Sequence, residues 1–294
     1  METESREARS RAECVERVRQ AIEICFMNFG LVVIKGGGDL ASGAALRLHR
    51  SGFQVVITEL PQPLTVRRAV SFGSAVLDGE IIIEGVRARL CADVDAARAC
   101  IGVGDIAVLI DEDANCIAIL KPAIVVDAIM AKRNTGTRIS DAPMVVALGP
   151  GFTASLDAHA VVETNRGHNL GRVYYHGQAE PDTGIPALVG GDAESRVVRA
   201  PADGMFRAVK QIGEQTEAKS LLGYVDGEAV VASTSGVIRG LIADNVRVER
   251  GMKIGDVDPR ATVEHCFTVS DKSRAVGGGV LEAILYLSRH NGSG

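Results

Sequence analysis

Tryptophan is missing from this 294-residue chain, and aromatic residues amount to only 4% of it. A stacking surface for nucleic-acid bases is therefore not available, and the core must be built from aliphatic side chains. Long basic runs are also missing, and the formal net charge of -5 gives no general attraction for nucleic acid. No apolar run reaches the roughly 18 residues of a spanning helix. The charged first residues lack the hydrophobic stretch of a secretory signal, so a cytoplasmic protein with no membrane attachment is expected. The six cysteines, Cys14, Cys25, Cys91, Cys100, Cys116 and Cys266, include no C-x-x-C pair, and reduced, mostly buried thiols are the expectation. His159, His168 and His176 supply imidazoles without H-E-x-x-H or a paired cysteine motif, so no metal site is predicted.

What the chain does hold is 46% hydrophobic residues and 33 glycines, enough for a sizeable core of Val, Ile, Leu and Ala spread over two or three domains. The run Leu31-Val32-Val33-Ile34-Lys35 reads as a buried strand that enters the turn Gly36-Gly37-Gly38 and then a helix from Asp39-Leu40-Ala41. The spacing Gly36-x-Gly38-x-x-Ala41 fits a dinucleotide fingerprint, with Ala41 in place of the third glycine. Backbone N–H groups over Gly36, Gly37, Gly38, Asp39, Leu40 and Ala41, backed by the helix's positive end, would hold a phosphate or pyrophosphate. The other reading is that these glycines only allow the helix to pack closely. A helix through Leu46 and Leu48 and the strand Phe53–Ile57 complete a βαβ unit. Glu59, 21 residues beyond Gly38, would accept hydrogen bonds from a ribose 2'-OH and favour NAD over NADP.

Further along, Pro61 to Arg68 turns and enters a helix, with Arg67 and Arg68 either reaching a phosphate or lying on the surface. Short strands are expected around Glu84-Gly85, a helix over Asp93–Cys100 and a strand over Ile106–Ile110 that ends in the acids Asp111, Glu112 and Asp113. The strand Ala123–Val126 places Asp127 at its C-terminal end, the edge where open α/β sheets put their ligands. With Lys132, Arg133 and Asn134 close behind, Asp127 is a candidate for orienting a substrate or metal; the alternative is a surface ion pair. After the strand Met144–Leu148, Gly149 and Gly151 flank a proline and suggest a second anion cradle. Glu163, Arg166, His168 and Arg172 then gather acid, cations and imidazole around a glycine turn. There His168 would act as acid or base with Glu163 orienting it, or the group would clamp a phosphorylated ligand. Structural hydrogen bonding is the remaining reading.

From Arg199 the pattern changes to short strands and glycine turns, and it repeats at an offset of 32 residues: Ala200-Pro201-Ala202-Asp203-Gly204-Met205 against Ala232-Ser233-Thr234-Ser235-Gly236-Val237, and Leu222-Gly223 against Ile254-Gly255. Such an offset predicts two interlocked halves of one β-domain sharing a core. This part resembles the biotinyl/lipoyl barrel-sandwich fold. Its link Asp226-Gly227-Glu228-Ala229 carries no lysine, so no prosthetic group is expected on it.

Four separated motifs, Ile34 to Gly43, Lys132-Arg133-Asn134, Gly149-Pro150-Gly151-Phe152 and Glu163 to His168, resemble signatures of the accessory proteins of the selenium-dependent molybdenum hydroxylase system. The resemblance implies a maturation factor that binds the molybdenum cofactor, as a pterin phosphate or its nucleotide form, and works with a molybdenum hydroxylase or its other maturation proteins. An NAD-dependent oxidoreductase and a non-catalytic scaffold recruiting the hydroxylase are the alternatives. A homodimer is compatible with the exposed strands of the β-domain. The expected architecture is α/β: an N-terminal extension over 1–28, with a short docking helix through Ala12 to Cys25 and an internal start at Met27 as an alternative origin; a Rossmann-like parallel sheet with helices on both faces over 29–190, with a break near 135–143; a small all-β barrel-sandwich-hybrid domain over 191–262; and a C-terminal tail and helix over 263–294 packing back on the sheet.

Overall fold

The computed structural model describes residues 30–182 and 195–290. The expected N-terminal extension and most of the turn around Pro181–Pro186 lie outside the described residues. Within them the chain forms a mixed α/β fold. Its main sheet contains β1 (Leu31–Lys35), β2 (Gln54–Glu59), β3 (Glu80–Ile83), β4 (Val86–Cys91), β5 (Ile106–Ile110), β6 (Ile124–Asp127), β7 (Met144–Leu148), β9 (Ala160–Val162) and β10 (Val173–Tyr174). The strand order is β10-β9-β7-β6-β1-β2-β5-β4-β3. Pairing is parallel from β4 through β5, β2, β1, β6 and β7 to β9. Only the outermost pairs, β3 with β4 and β9 with β10, are antiparallel. Two short strands, β8 (Thr153–Ala154) and β11 (Gly177–Gln178), pair separately.

Strand β1 is apolar at consecutive positions because both sheet faces are covered. Val32 and Ile34 join a core formed with the helices α1 (Asp39–Arg50) and α3 (Asp271–His290), while Val33 joins the core of α2 (Val94–Gly102) on the opposite face. On α3 the residues Val276, Val280, Ala283, Ile284 and Leu287 are buried at helical spacing, and each large one contributes about 1.5–3 kcal/mol of transfer free energy. The expected helix after Pro61 is instead two single turns, Arg68–Val70 and Phe72–Ser74. The run Ile117–Leu120 lies in a five-residue helix, Cys116–Leu120.

The second unit consists of β12 (Val197–Arg199), β13 (Gly204–Ala208), β14 (Gln215–Thr216), β15 (Leu221–Val225), β16 (Glu228–Val231), β17 (Gly236–Leu241), β18 (Arg247–Val248) and β19 (Lys253–Asp258). They make two four-stranded sheets, β12-β19-β17-β14 and β16-β15-β13-β18. Strands β13, β14 and β15 recur 32 residues later as β17, β18 and β19, and each sheet contains strands from both halves. The halves share one core through Phe206, Leu222, Ile238 and Ile254. Gly204 and Gly236 occupy the same position in each half at φ +154° and +156°, where a Cβ would run into Asp226 and Asp258 respectively. The unit is tied to the sheet by Leu241 N–H donating to Val66 O at 2.8 Å and Arg68 Nε donating to Leu241 O at 2.7 Å.

Candidate functional site

The C-terminal ends of β1, β2, β5 and β6 open into a cleft of about 770 Å³, lined by Lys35, Gly36–Leu40, Thr58–Leu60, Leu64, Thr65, Asp111–Asp113, Ala128–Met130, Thr135 and Gly136. It lies where the chain order reverses, since β1 has β2 on one side and β6 on the other. The glycine turn forms its floor. Gly36 has φ +87°, donates its N–H to Thr58 O at 2.8 Å and faces Ala128 O at 3.1 Å from where a Cβ would be. The Gly37 N–H donates to Glu59 Oε2 at 2.8 Å. Its Cα would carry a side chain into Gly73, whose Cα is 2.5 Å from the ideal Cβ position, and Gly73 N–H donates to Gly37 O at 2.9 Å. Two of the expected anion-binding amides are thus engaged by the protein, and Gly36 and Gly37 serve close packing. Gly38 differs: it is the N-cap of α1, no side chain caps that end, and the nearest atom to its Cβ position is Thr65 Oγ1 at 4.0 Å. Ala41, in the first turn of α1, is buried.

Glu59 is held by two backbone amides, Gly37 to Oε2 and Leu60 to Oε1, each at 2.8 Å. Burial pushes its pKa above the ordinary carboxylate value, with those two hydrogen bonds opposing the shift. Each oxygen retains a second lone pair. Asp39 is occupied by Arg67 Nη1 at 3.0 Å and Ser273 Oγ at 2.7 Å. Arg67 does not reach over the sheet toward a ligand: it is buried, and besides Asp39 its Nη2 donates to His265 O at 2.9 Å. The reason is the return of the chain after β19, which packs over it.

Asp127 lies level with Lys35 across the β1–β6 pair and is 1% exposed, so it is not in a surface ion pair. Lys35 Nζ donates to Thr137 Oγ1 at 2.6 Å, and Thr137 Oγ1 donates to Asp127 Oδ2 at 2.5 Å. All three residues are buried. The loop that delivers Thr137 is fixed by Asn134, whose Oδ1 accepts from Gly136 and Thr137 N–H at 2.8 Å. Met130 and Lys132 in that loop both have φ +63°, a strained backbone that its packing must sustain.

The second predicted cluster does not line this cleft. Gly149 N–H donates to Val162 O at 2.8 Å, and its Cβ position is 2.5 Å from Thr164 Oγ1; Gly151 is pressed against the Arg133 backbone at 2.6 Å. These glycines accommodate crossing loops. Glu163 is fully buried and accepts from Asn165 N–H at 2.6 Å and Glu180 N–H at 2.7 Å, so its carboxylate braces a loop instead of orienting His168, which is exposed. Arg166 makes a bidentate pair with Asp271 at 2.5 and 3.1 Å and pins that loop to the first turn of α3. The Glu163–His168 acid–base pair expected from the sequence is therefore not formed. Sequence reasoning missed Gly73 and Thr137 as site residues; neither belongs to a motif with a recognisable spacing.

Cys91, Cys100, Cys116 and Cys266 are free and buried. Burial pushes the Cys100 and Cys116 thiols up to about 12, so they are protonated and poor nucleophiles. Among the described residues no group of His, Cys, Asp and Glu is placed to hold a metal ion. No described helix is long and apolar enough to cross a membrane.

No family model matches the chain. It is 47% identical over 257 residues to the uncharacterized protein YqeB of Escherichia coli (strain K12), a match that covers 87% of this chain and 48% of that protein. The chain thus spans about half the length of this relative. Among solved structures, an aspartoacylase family protein of Mesorhizobium loti is 10% identical with a TM-score of 0.25, covering 77% of this chain and 84% of its own. The ectoine utilization protein EutE (DoeB) of Ruegeria pomeroyi is 12% identical with a TM-score of 0.23, covering 78% and 85%. At such scores neither fold nor activity passes to this chain. The solved structures to which it is similar carry aspartoacylase, succinylglutamate desuccinylase and ectoine-utilization names. Neither the relative nor the solved structures named here bear a selenium-dependent molybdenum hydroxylase or a biotinyl/lipoyl name, and both expectations are corrected to the mixed α/β fold described above. The maturation role, the oxidoreductase and the recruiting scaffold are withdrawn together.

Proposed function

We propose that this protein binds a small hydroxyl-bearing molecule in the cleft at the C-terminal edge of its parallel sheet, with Glu59 as the acceptor of a vicinal diol. One observation carries the reading: the Glu59 carboxylate is fixed at the lip of the cleft by two backbone amides, which leaves a preorganised pair of lone pairs at no further entropic cost. The fold supports it. The strands run outward from β1 as β2-β5 on one side and β6-β7-β9 on the other, the order of a doubly wound, Rossmann-like sheet, whose ligands sit at the reversal point. We read the second unit as a small β-sandwich beside it. Lys35 lines the cleft and is coupled through Thr137 to the buried Asp127, so it is the cation that can face a bound ligand. A ribose is the simplest diol of this kind, and NAD is one cofactor that carries it.

The test is calorimetric titration with ribose 5-phosphate, ADP-ribose and NAD, in the wild type and in Glu59→Gln. The expected result is saturable binding of at least one diol, weakened about tenfold or more by the substitution, as loss of a charge-assisted hydrogen bond predicts. Because burial raises the Glu59 pKa, the folded protein holds that proton more tightly than the unfolded chain does. Ionised Glu59 therefore costs stability at neutral pH, and the cost disappears as pH falls through the folded value. Binding should accordingly weaken on acidification at a pH above the ordinary glutamate range, and Glu59→Gln should lack that step. Absence of binding by all three probes, or a Glu59→Gln variant with unchanged affinity, overturns the reading.

A further inference from the structure

Among the described residues that line the cleft, Lys35 is the one cation, against Asp39, Glu59, Asp111, Glu112 and Asp113. An anionic ligand would meet those acids as well, and like charges at close range repel. Lys35 is therefore badly placed to hold a phosphate or a carboxylate. Its ammonium is not closed off in a direct ion pair either. The side chain is 8% exposed, and Nζ stands 3.8 Å from Asp127 Oδ2, beyond the reach of a hydrogen bond.

The Thr137 hydroxyl fills the gap. It accepts from Lys35 Nζ at 2.6 Å and donates to Asp127 Oδ2 at 2.5 Å, so a continuous line of hydrogen bonds runs from the amine to the carboxylate. Both far members are held in place. Asp127 Oδ1 accepts from the Ile129 N–H at 3.2 Å, and Asn134 grips Thr137 on two sides, accepting from its N–H and donating Nδ2–H to its carbonyl, each at 2.8 Å. An ammonium carries three N–H donors, and among the described residues Thr137 is the one acceptor that Nζ reaches. Two donors are thus left unfilled on a buried side chain that lines an open cleft. A buried polar group in that state calls for a physical account. A lysine that can pass its proton along a fixed path to a neighbouring base becomes a nucleophile.

We propose that Lys35 forms a reversible imine with the carbonyl group of a small aldehyde or ketone bound in the cleft. The ammonium gives a proton to the Thr137 hydroxyl as that hydroxyl gives its own to Asp127. The freed amine forms a C–N bond to the carbonyl carbon, the C=O π pair moves to oxygen, and a second nitrogen proton follows it there to give a carbinolamine. Asp127 then returns its proton through Thr137 to the new hydroxyl, which leaves as water while the nitrogen lone pair closes the C=N bond. One water is lost, and nothing is oxidised or reduced. The iminium carries the same single positive charge as the ammonium it replaces, so the buried Asp127 keeps its counterion throughout. A neutral carbonyl compound also meets no repulsion from the acidic walls. That the compound is hydroxylated, as an open-chain sugar is, rests on the diol reading of Glu59; the imine itself does not.

The experiment is reductive trapping of the full chain. It is incubated with propanal or with glyceraldehyde in the presence of sodium cyanoborohydride, and peptide mass spectrometry follows each lysine over time. A buried ammonium with no route for its proton reacts more slowly than an exposed one. Lys35 is expected instead to be modified faster than the exposed Lys121 and Lys219. Thr137→Val should slow modification of Lys35 by about a hundredfold, the low end of what positioned proton transfer contributes, and leave Lys121 and Lys219 unchanged. Thr137→Ser keeps the hydroxyl and should retain most of the wild-type rate; circular dichroism checks that each variant folds. A wild type in which Lys35 reacts no faster than the exposed lysines, or a folded Thr137→Val variant with the wild-type rate at Lys35, overturns the proposal. Glyceraldehyde should outpace propanal at Lys35 and lose that advantage in Glu59→Gln. Fast and equal modification by both aldehydes would sink the diol reading and leave the imine standing.

Discussion

At the scale of single residues, the three glycines of the first turn are chemically identical and do different work. Gly37 exists because its backbone touches that of Gly73: an added Cβ would lie 2.5 Å from Gly73 Cα and 2.7 Å from Gly73 N, and backbone cannot yield as a flexible side chain does. Gly38 has φ -70° and open space around its Cβ position, so an alanine fits there. We expect Gly37→Ala to lower stability by about 2–4 kcal/mol, in the range of overpacking and local strain. Gly38→Ala should stay within about 0.5 kcal/mol of the wild type, as exposed substitutions do. Urea unfolding followed by far-UV circular dichroism decides it, since the chain has no tryptophan to report. Equal losses in the two variants would show that the turn needs glycine for backbone freedom and not for contact.

At the scale of elements, α1 and α3 approach closely enough that Gly43 meets the Ser273 carbonyl and an added Cβ on Gly277 would lie 2.6 Å from Gly43 O. Gly278, next along α3, has nothing within 4 Å of its Cβ position. Helix propensity favours alanine by up to about 1 kcal/mol at such a free site, whereas at Gly277 the clash separates the helices. Gly278→Ala is therefore expected to raise the melting temperature and Gly277→Ala to lower it, and scanning calorimetry of the pair is the measurement. Much at this scale was legible in the sequence. The run Val32-Val33-Ile34 reads as a strand buried on both faces, and the offset of 32 residues in the β-unit is the offset of its strands. Local pattern carries that information. What pattern did not carry was partnership at long range: Gly37 with Gly73, Arg166 with Asp271 across 105 residues, and Lys35 with Thr137 across 102. Motif density around Glu163 and His168 suggested chemistry, yet the buried carboxylate there satisfies loop amides. A conformationally demanding turn and a catalytic turn draw on the same residue types, and sequence alone does not separate them.

At the scale of the molecule, Arg67 joins parts of the chain that the order of elements keeps apart. It leaves the segment after β2, pairs with Asp39 in the first turn of α1 at 3.0 Å and donates to His265 O at 2.9 Å in the segment that follows the β-unit. The adjacent Val66 and Arg68 bond to Leu241 of β17, so the same short stretch fixes the β-unit and the returning chain against the sheet. Arg67→Met keeps most of the side-chain volume but removes the charge, leaving Asp39 with Ser273 alone. Losing one partner of a buried pair costs about 3–5 kcal/mol. The lower end is expected here, because the Asp39 side chain is 25% exposed. If the loss arises from the uncompensated carboxylate, Asp39→Asn in the Arg67→Met background should recover part of it, a coupling that a double-mutant cycle isolates. If it arises from the carbonyls that accept from Arg67 Nη2, His265 O at 2.9 Å and Thr268 O at 3.4 Å, the second substitution should recover nothing. A further consequence separates this residue from ordinary core positions: with the Arg67 tie cut, this stretch joins the β-unit to the sheet only through the bonds of Val66 and Arg68 to Leu241, and calorimetric unfolding of Arg67→Met is expected to broaden or split relative to a single wild-type transition. A single sharp transition in the variant would mean that the Val66–Leu241 contacts suffice to couple the two units.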